Sequence, residues 1–143
     1  MTTRRSLVSA GLAAVVLRPA VAGVEPLHPA IAAFVGNRPL HDGRITLALD
    51  ELVENGNSVP VTVTVASPMT EADHVQRIGL FALQNPQPEV AVFHLSPVNG
   101  VARVSTRMRL ATSQAVIALA QTSDGRCWQG RFEVVVTLAA CIE

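Results

Sequence analysis

The feature that most constrains this chain is a two-residue alternation of apolar and polar side chains. It runs through Val59 to Val65 and again from Ala102 to Leu110. Successive side chains of a β-strand point to opposite faces of its sheet, so this period is typical of strands with one buried face. We therefore expect β-sheets, and not helices, to form the body of the protein.

About seven segments are either alternating in this way or wholly apolar, and turn residues separate them. The predicted strands are Arg44–Leu49, Ser58–Ser67, Val75–Leu83, Glu89–Leu95, Val101–Leu110, Gln114–Gln121 and Arg126–Ala139. Two turns, Asn99-Gly100 and Asp124-Gly125, have the composition of β-hairpins. The pattern predicts an all-β fold, an immunoglobulin-like antiparallel β-sandwich of two sheets packed face to face. Ala115 to Ala120 is wholly apolar, which predicts a central strand covered on both faces.

A short helix is predicted before the strands. The segment from Pro26 to Val35 contains two prolines and an apolar run, and it stops at Gly36-Asn37, where glycine favours helix termination. The 143 residues of the chain have room for one domain of ordinary size after a leader. We therefore expect residues 1–22 to form a leader and residues 23–143 to form one β-sandwich domain with a C-terminal tail.

The leader has the three parts of an export signal. Arg4-Arg5 precede an apolar run from Leu7 to Leu17, and Ala20-Val21-Ala22 resembles a cleavage site. Paired arginines indicate the twin-arginine pathway to the periplasm, with an ordinary secretory signal as the alternative. The apolar run is too short to span a bilayer, so no membrane span is expected.

Composition and motifs argue against several functions. The chain has no Lys, a formal net charge of zero and few aromatic residues, so we expect no nucleic-acid partner. Nucleophile elbows, paired zinc-binding histidines and glycine-rich phosphate loops are missing, which argues against an enzyme and against a bound cofactor. The histidines have no paired ligand spacing, so no metal site is predicted; they are His28, His41, His74 and His94.

Three arginines share one face of a predicted strand. Arg103, Arg107 and Arg109 are separated by four and two residues, even numbers that place them on the same side of a strand. Such a face could hold an anion or an acidic partner. The simpler interpretation is a charged face directed to solvent, as is common for sheets with one buried side.

The two cysteines differ in their surroundings. If one strand connects Cys127 to Cys141, they lie roughly 46 Å apart, far beyond the Cα separation of about 4.4–6.8 Å that a disulfide needs. Pairing would require the strand to fold back, and Gly130 is the residue that could allow it. Cys127, beside Trp128, is interpreted as a small buried hydrophobe.

Cys141 follows the strand pattern on a terminal tail, where a thiol can form mixed disulfides or persulfides. The neighbouring carboxylates disfavour its thiolate form. The alternative is an incidental terminal cysteine without a role.

Several stretches of the chain resemble the SoxY family, the sulfur-carrier subunit of the bacterial Sox thiosulfate-oxidation system. The motifs that carry the resemblance are Glu54-Asn55-Gly56-Asn57-Ser58-Val59-Pro60-Val61-Thr62-Val63, Ser67-Pro68-Met69-Thr70, Asn85-Pro86-Gln87-Pro88-Glu89-Val90-Ala91-Val92-Phe93-His94, Val104-Ser105-Thr106-Arg107-Met108-Arg109-Leu110-Ala111 and Ser123-Asp124-Gly125. The resemblance implies an immunoglobulin-like fold, a periplasmic location and a heterodimer with a SoxZ-like subunit. It also implies that Cys141 is the covalent attachment point for sulfur intermediates, which other Sox enzymes process as transient partners.

The tail departs from the family pattern. Family members usually end in Gly-Gly-Cys-Gly-Gly, and the matching residues here are Ala139-Ala140-Cys141-Ile142-Glu143. Alanines restrict the backbone more than glycines do. Two hypotheses follow: a carrier whose partners accept this tail, or a SoxY-like subunit that carries no sulfur or acts outside thiosulfate oxidation.

Overall fold

The computed structural model describes residues 26–140, which contain nine β-strands, one α-helix and one 3₁₀ turn. The leader predicted over residues 1–22 and the tail residue Cys141 lie outside the described residues. The elements in chain order are α1 (Pro29–Val35), β1 (Leu40–Asp42), β2 (Ile45–Ala48), β3 (Leu52–Val53), β4 (Val59–Val65), β5 (Val75–Ala82), β6 (Glu89–His94), the 3₁₀ turn (Pro97–Asn99), β7 (Arg103–Met108), β8 (Gln114–Thr122) and β9 (Cys127–Val136).

The strands form two sheets, which confirms the predicted β-sandwich. The larger has the order β1-β9-β8-β5-β6, with β3 also paired to β9, and the smaller has the order β2-β4-β7. Each of the predicted strands is present, with ends that differ by a few residues. The two further strands, β1 and β3, run parallel to β9 along its outer edge. They are three and two residues long, too short for an alternation to reveal them.

The space between the sheets is filled by the alternating residues of β4 and by one face of β8. Val59, Val61 and Val63 of β4 are at most 2% exposed and pack with Val116 and Ala118 of β8. A fully buried valine contributes about 1.5–3 kcal/mol relative to an exposed one. The two-residue period seen in the sequence therefore builds the core directly.

The other face of β8 is covered by α1. Ile117 and Leu119 pack in a second apolar cluster with Ile31, Phe34 and Val35 of the helix. This confirms that the wholly apolar segment is a central strand with both faces buried.

Arg77 and Gly79 of β5 seat the helix on the sheet. The Nη2 group of Arg77 donates to the carbonyl oxygen of Phe34 at 2.8 Å, and its guanidinium carbon lies 4.1 Å from the centroid of the Phe34 ring. Gly79 leaves room for that ring, because a Cβ there would stand 2.8 Å from a Phe34 ring carbon. The helix ends at Gly36, as predicted, with φ at 60°.

One of the two predicted hairpins is confirmed and the other is wrong. Asp124-Gly125 closes the hairpin between β8 and β9, where the N–H of Thr122 donates to the carbonyl of Arg126 at 3.0 Å. Asn99-Gly100 instead lies where the chain crosses from β6 in the larger sheet to β7 in the smaller one. The Asn99 side chain accepts from the N–H of Ser96 at 2.8 Å, so it stabilises a 3₁₀ turn at the crossing.

We predict that Gly79→Val lifts α1 from the sheet and exposes the thiol of Cys127. The added side chain would collide with Phe34 and Phe81, which should lower the free energy of unfolding by about 1–3 kcal/mol. Urea unfolding and the alkylation rate of Cys127, both in a Cys141→Ser background, measure the two effects. Thr46→Val, an exposed site on the smaller sheet, is the control. An unchanged alkylation rate in Gly79→Val would contradict this account of the helix.

Candidate functional site: the end of the sandwich that bears the tail

The described chain ends at Ala140, the residue before Cys141, so the surroundings of Ala140 define where the tail leaves the domain. Four segments meet there, and we call them the tail platform: residues 54–57, 84–88, 109–114 and 137–140. Ala140 is 9% exposed. The chain therefore enters the tail from a packed position.

A set of backbone hydrogen bonds around Gly56 joins three of these segments. The N–H of Gly56 donates to the carbonyl of Leu138 at 2.8 Å, and the N–H of Leu110 donates to the carbonyl of Gly56 at 2.9 Å. The N–H of Ala140 in turn donates to the carbonyl of Leu110 at 3.0 Å. Gly56 thereby holds the segments of Leu110 and Leu138, and Leu110 in turn holds Ala140 at the base of the tail.

Glycine at position 56 is required by this close approach. A Cβ there would stand 2.6 Å from the carbonyl oxygen of Leu110, and 3.0 Å from both the amide nitrogen of Ala140 and Cγ1 of Val136. Two of these three atoms belong to the backbone, so no rotamer change could relieve the contact. A side chain would have to push the segments apart.

Asn85 and Gln114 hold the other half of the tail platform. The Asn85 amide donates to the carbonyl of Arg109 at 2.8 Å and accepts from the N–H of Ala111 at 2.9 Å. Gln114, 7% exposed, donates to Asn85 Oδ1 at 3.0 Å and accepts from the N–H of Gln84 at 3.0 Å. Buried polar groups satisfied in this way make the loops rigid.

The last residues of β9 are also bonded on both sides. Val136 N–H donates to Ser113 Oγ at 2.8 Å, Thr137 N–H donates to the carbonyl of Val53 at 3.0 Å, and Thr137 Oγ1 donates to the carbonyl of Glu54 at 3.3 Å. With the bonds at Leu138 and Ala140, anchoring extends to the residue that precedes the cysteine.

The structure confirms Cys127 as a buried hydrophobe. It is 0% exposed and packs in the cluster under α1. Burial raises the pKa of its thiol, and the charges of Arg38 and Arg77 offset this only in part. A buried thiol with a raised pKa is a poor nucleophile.

Cys127 also lies at the far end of β9 from the tail platform. Its strand is paired with β8 in an unbroken register from Cys127 to Val134, so it does not fold back at Gly130. That glycine instead accommodates Ile45, whose Cγ2 would stand 2.8 Å from a Cβ at position 130. The strand places Cys127 roughly 30 Å from Val136. Cys141 itself is not described, and its role stays a prediction.

Two of the three arginines lie on the strand face that the pattern predicted. Arg103 and Arg107 are exposed on the outer face of the smaller sheet, and Arg109 follows the end of β7. Arg103 Nε donates to Thr64 Oγ1 at 3.4 Å, and Arg107 Nη1 donates to Ser58 Oγ at 3.1 Å. Arg103 and Arg107 thus bond to hydroxyl groups of nearby residues in this chain, and an anion or partner on this face stays a prediction.

Within residues 26–140, no three His, Cys, Asp or Glu side chains come together as a metal site. The histidines are apart: the His28 Nδ1 atom accepts from the N–H of Ala30 at the start of α1, His41 lies against Trp128, and His74 Nδ1 is 3.0 Å from the carbonyl of Thr70. In the same residues no helix has the length and apolarity to cross a membrane.

The fold and this end of the molecule define a class of protein: a β-sandwich whose terminal cysteine segment leaves from a hydrogen-bonded platform. The family model described as "Sulfur oxidation protein SoxY" matches residues 31–141, which include Cys141. The chain belongs to the SoxY family.

A solved structure from the same family agrees with this assignment. The sulfur carrier protein SoxY from Chlorobium limicola f thiosulfatophilum is 34% identical, with a TM-score of 0.65 over 76% of this chain and 94% of that one. A superoxide reductase (neelaredoxin) from Ignicoccus hospitalis has 19% identity and a TM-score of 0.58, covering 66% of this chain and 80% of that one. The superoxide reductase from Nanoarchaeum equitans has 15% identity and a TM-score of 0.53, covering 66% and 92%.

At that identity the superoxide reductases share the fold alone with this chain. A search of curated proteins gives no match.

Parts of three of the five motifs that resemble SoxY meet in space, which the sequence did not predict. Glu54 to Asn57, Asn85 to Pro88 and Arg109 to Ala111 all belong to the tail platform. From sequence, the Asn, Gly and Pro residues of the first two segments indicated only turns. No local signal identified Gln114 or Ser113 as contributors.

We predict that Gly56→Ala loosens the tail base without unfolding the sandwich. The contact with the Leu110 carbonyl should cost about 1–3 kcal/mol and raise the hydrogen-exchange rates of the Leu110 and Ala140 amides by about tenfold. Exchange measured by NMR gives both rates residue by residue.

Gly79→Ala is the matched control, because its Cβ meets aromatic side chains beneath α1 and no tail residue. It should speed exchange in the helix and leave Ala140 unchanged. Equal protection of Ala140 in wild type and Gly56→Ala would contradict the role given to Gly56.

Proposed function

We propose that this protein is a covalent carrier of sulfur intermediates and that Cys141 is the attachment point. Membership of the SoxY family supports the carrier role. The observation that carries the assignment to Cys141 is the complete burial of Cys127, which leaves Cys141 as the cysteine able to react. The sandwich then acts as the rigid body that partner enzymes recognise, and separate enzymes perform the chemistry.

Loading from thiosulfate is a two-electron oxidation. The sulfur of Cys141 forms one S–S bond with the outer sulfur of thiosulfate, and the thiol proton passes to solvent. Both electrons leave to an electron-accepting redox enzyme, which the carrier does not contain. This role requires no cofactor on the chain in addition to the sulfur adduct.

The proposal includes export and a partner subunit. The twin-arginine leader over residues 1–22 directs the chain to the periplasm, and the mature domain forms a heterodimer with a SoxZ-like subunit. Family membership supports both statements.

The alanines of this tail suit an anchored carrier better than a long flexible arm. Ala140 is packed and its N–H is bonded to Leu110, and consecutive Cα atoms are only about 3.8 Å apart. The sulfur of Cys141 therefore stays within roughly 7 Å of the Ala140 Cα. Partners must come to the tail platform to reach it.

We predict that Cys141→Ser abolishes both the sulfur adduct and thiosulfate oxidation. Intact-mass spectrometry of protein from cells grown on thiosulfate measures the first, and the rate of thiosulfate consumption measures the second. Cys127→Ala is the matched control, since it removes the other thiol. It should keep the adduct and most of the activity.

An unmodified Cys141 in cells that actively oxidise thiosulfate would contradict the carrier proposal. If Cys141→Ser also left the partner complex and sulfur metabolism unchanged, the alternative would stand, namely an interaction subunit that carries no sulfur.

A further inference from the structure

We propose that an apolar patch beside the tail platform is the docking surface for the enzyme that transfers sulfur to Cys141. The patch consists of Leu52, Val135 and Leu138. The inference rests on the proposed function, because it asks where a partner must bind if the thiol stays close to Ala140. It commits to a partner with an apolar contact surface and basic residues around it.

The first observation is where the exposed apolar side chains lie. Within residues 26–140, the large exposed hydrophobic residues are Leu27, Leu52, Val98, Val101, Val135 and Leu138. Three of these belong to the last stretch before the tail and to the short strand paired with it. Leu52 is 60% exposed, Val135 51% and Leu138 62%.

Strand register places two of the three side by side. Leu52 of β3 is the direct partner of Val135 of β9, and Val53 is the partner of Val136. Directly paired residues face the same side of a sheet. Val53 is buried in the core, so Leu52 and Val135 both point outward and form one apolar surface.

This surface occupies the part of the large sheet that α1 does not cover. The helix packs over Phe81, Ile117 and Cys127. Farther along β9, an open groove of about 490 Å³ is lined by residues that include Ser113, Arg131 and Glu133. Glu133 is two residues from Val135 on β9, so the groove and the patch lie on the same face of the large sheet.

Exposed acidic residues flank the patch. Asp50, Glu51 and Glu54, all exposed, surround Leu52 in sequence. Arg131 and Glu133 also lie on this face, and they form an ion pair at 2.7 Å, so together they add no net charge. A partner with basic residues around an apolar centre would match this charge, and such complementarity speeds association.

The fixed exit of the tail connects this surface to the chemistry. Leu138 is two residues from Ala140, and its carbonyl accepts from Gly56. A thiol within roughly 7 Å of Ala140 reaches an active site only if the enzyme covers the adjacent surface. The apolar patch is the adjacent surface that favours such contact.

The test uses the full chain in cells that oxidise thiosulfate. Leu52→Asp and Val135→Asp should each reduce the fraction of Cys141 that carries sulfur at least tenfold. Val98→Asp is the matched control, because Val98 is 93% exposed in the turn at the other end of the sandwich. Alkylation of Cys141 by iodoacetamide in buffer should have the same rate in all variants, which shows that the thiol itself is intact.

Wild-type loading of the two patch variants would overturn the docking surface while leaving the carrier function standing. A wild-type chain without any adduct would instead contradict the carrier function. In that case the docking surface is tested by photocrosslinking, with a photoreactive residue placed at position 52 or, as a control, at position 98.

The proposal is supported if position 52 crosslinks to a sulfur-transferring enzyme and position 98 does not. The crosslink should also be lost in the double variant Glu51→Lys, Glu54→Lys. No crosslink, equal crosslinks from both positions, or crosslinking only to a β-sandwich companion subunit would overturn it.

Discussion

The close approach of three backbone segments at Gly56 determines what the tail-bearing end of this protein can do. Because Gly56 has no side chain, Leu110 and Leu138 can both bond to it, and Ala140 can bond to Leu110 in turn. The result is a chain that is anchored up to the residue before Cys141. The rest of the sandwich supports this arrangement by holding β4, β7 and β9, from which the three segments extend.

Strand β9 separates Cys127 from the base of the tail. β9 begins at Cys127 under the helix and leads, at its other end, to the tail. Its unbroken pairing with β8 keeps the two ends apart. Burial raises the pKa of the Cys127 thiol, and for this reason the proposed sulfur chemistry is assigned to Cys141.

Much of the fold was predictable because its signals are local. The alternation in β4 and β7 and the apolar run in β8 each follow from burial on one or two faces, and the structure has them where expected. The hairpin prediction at Asn99-Gly100 was wrong because the same two residues suit a hairpin and a 3₁₀ turn. The two structures differ in the strand that pairs with β7, which the local sequence does not show. β1 and β3 are too short to show a period.

The candidate site was predictable only in part. The prediction for Cys141 rests on its position and on the family resemblance, whereas the tail platform depends on contacts between residues that are far apart in sequence. Gly56, Asn85 and Gln114 act through such contacts. The outward orientation of Leu52 likewise depends on its pairing with Val135, which no pattern in the sequence predicts.

The central claim is that sulfur is held on Cys141 and not on Cys127. Trypsin separates the two cysteines, because it cleaves after Arg126 and Arg131 and so leaves Cys127 in the peptide Cys127–Arg131 and Cys141 in the peptide that begins at Phe132. Peptide mass spectrometry of the wild-type protein from thiosulfate-oxidising cells, without prior reduction, should find the sulfur adduct on the peptide that begins at Phe132. An adduct on Cys127–Arg131, or on neither peptide, would contradict the claim.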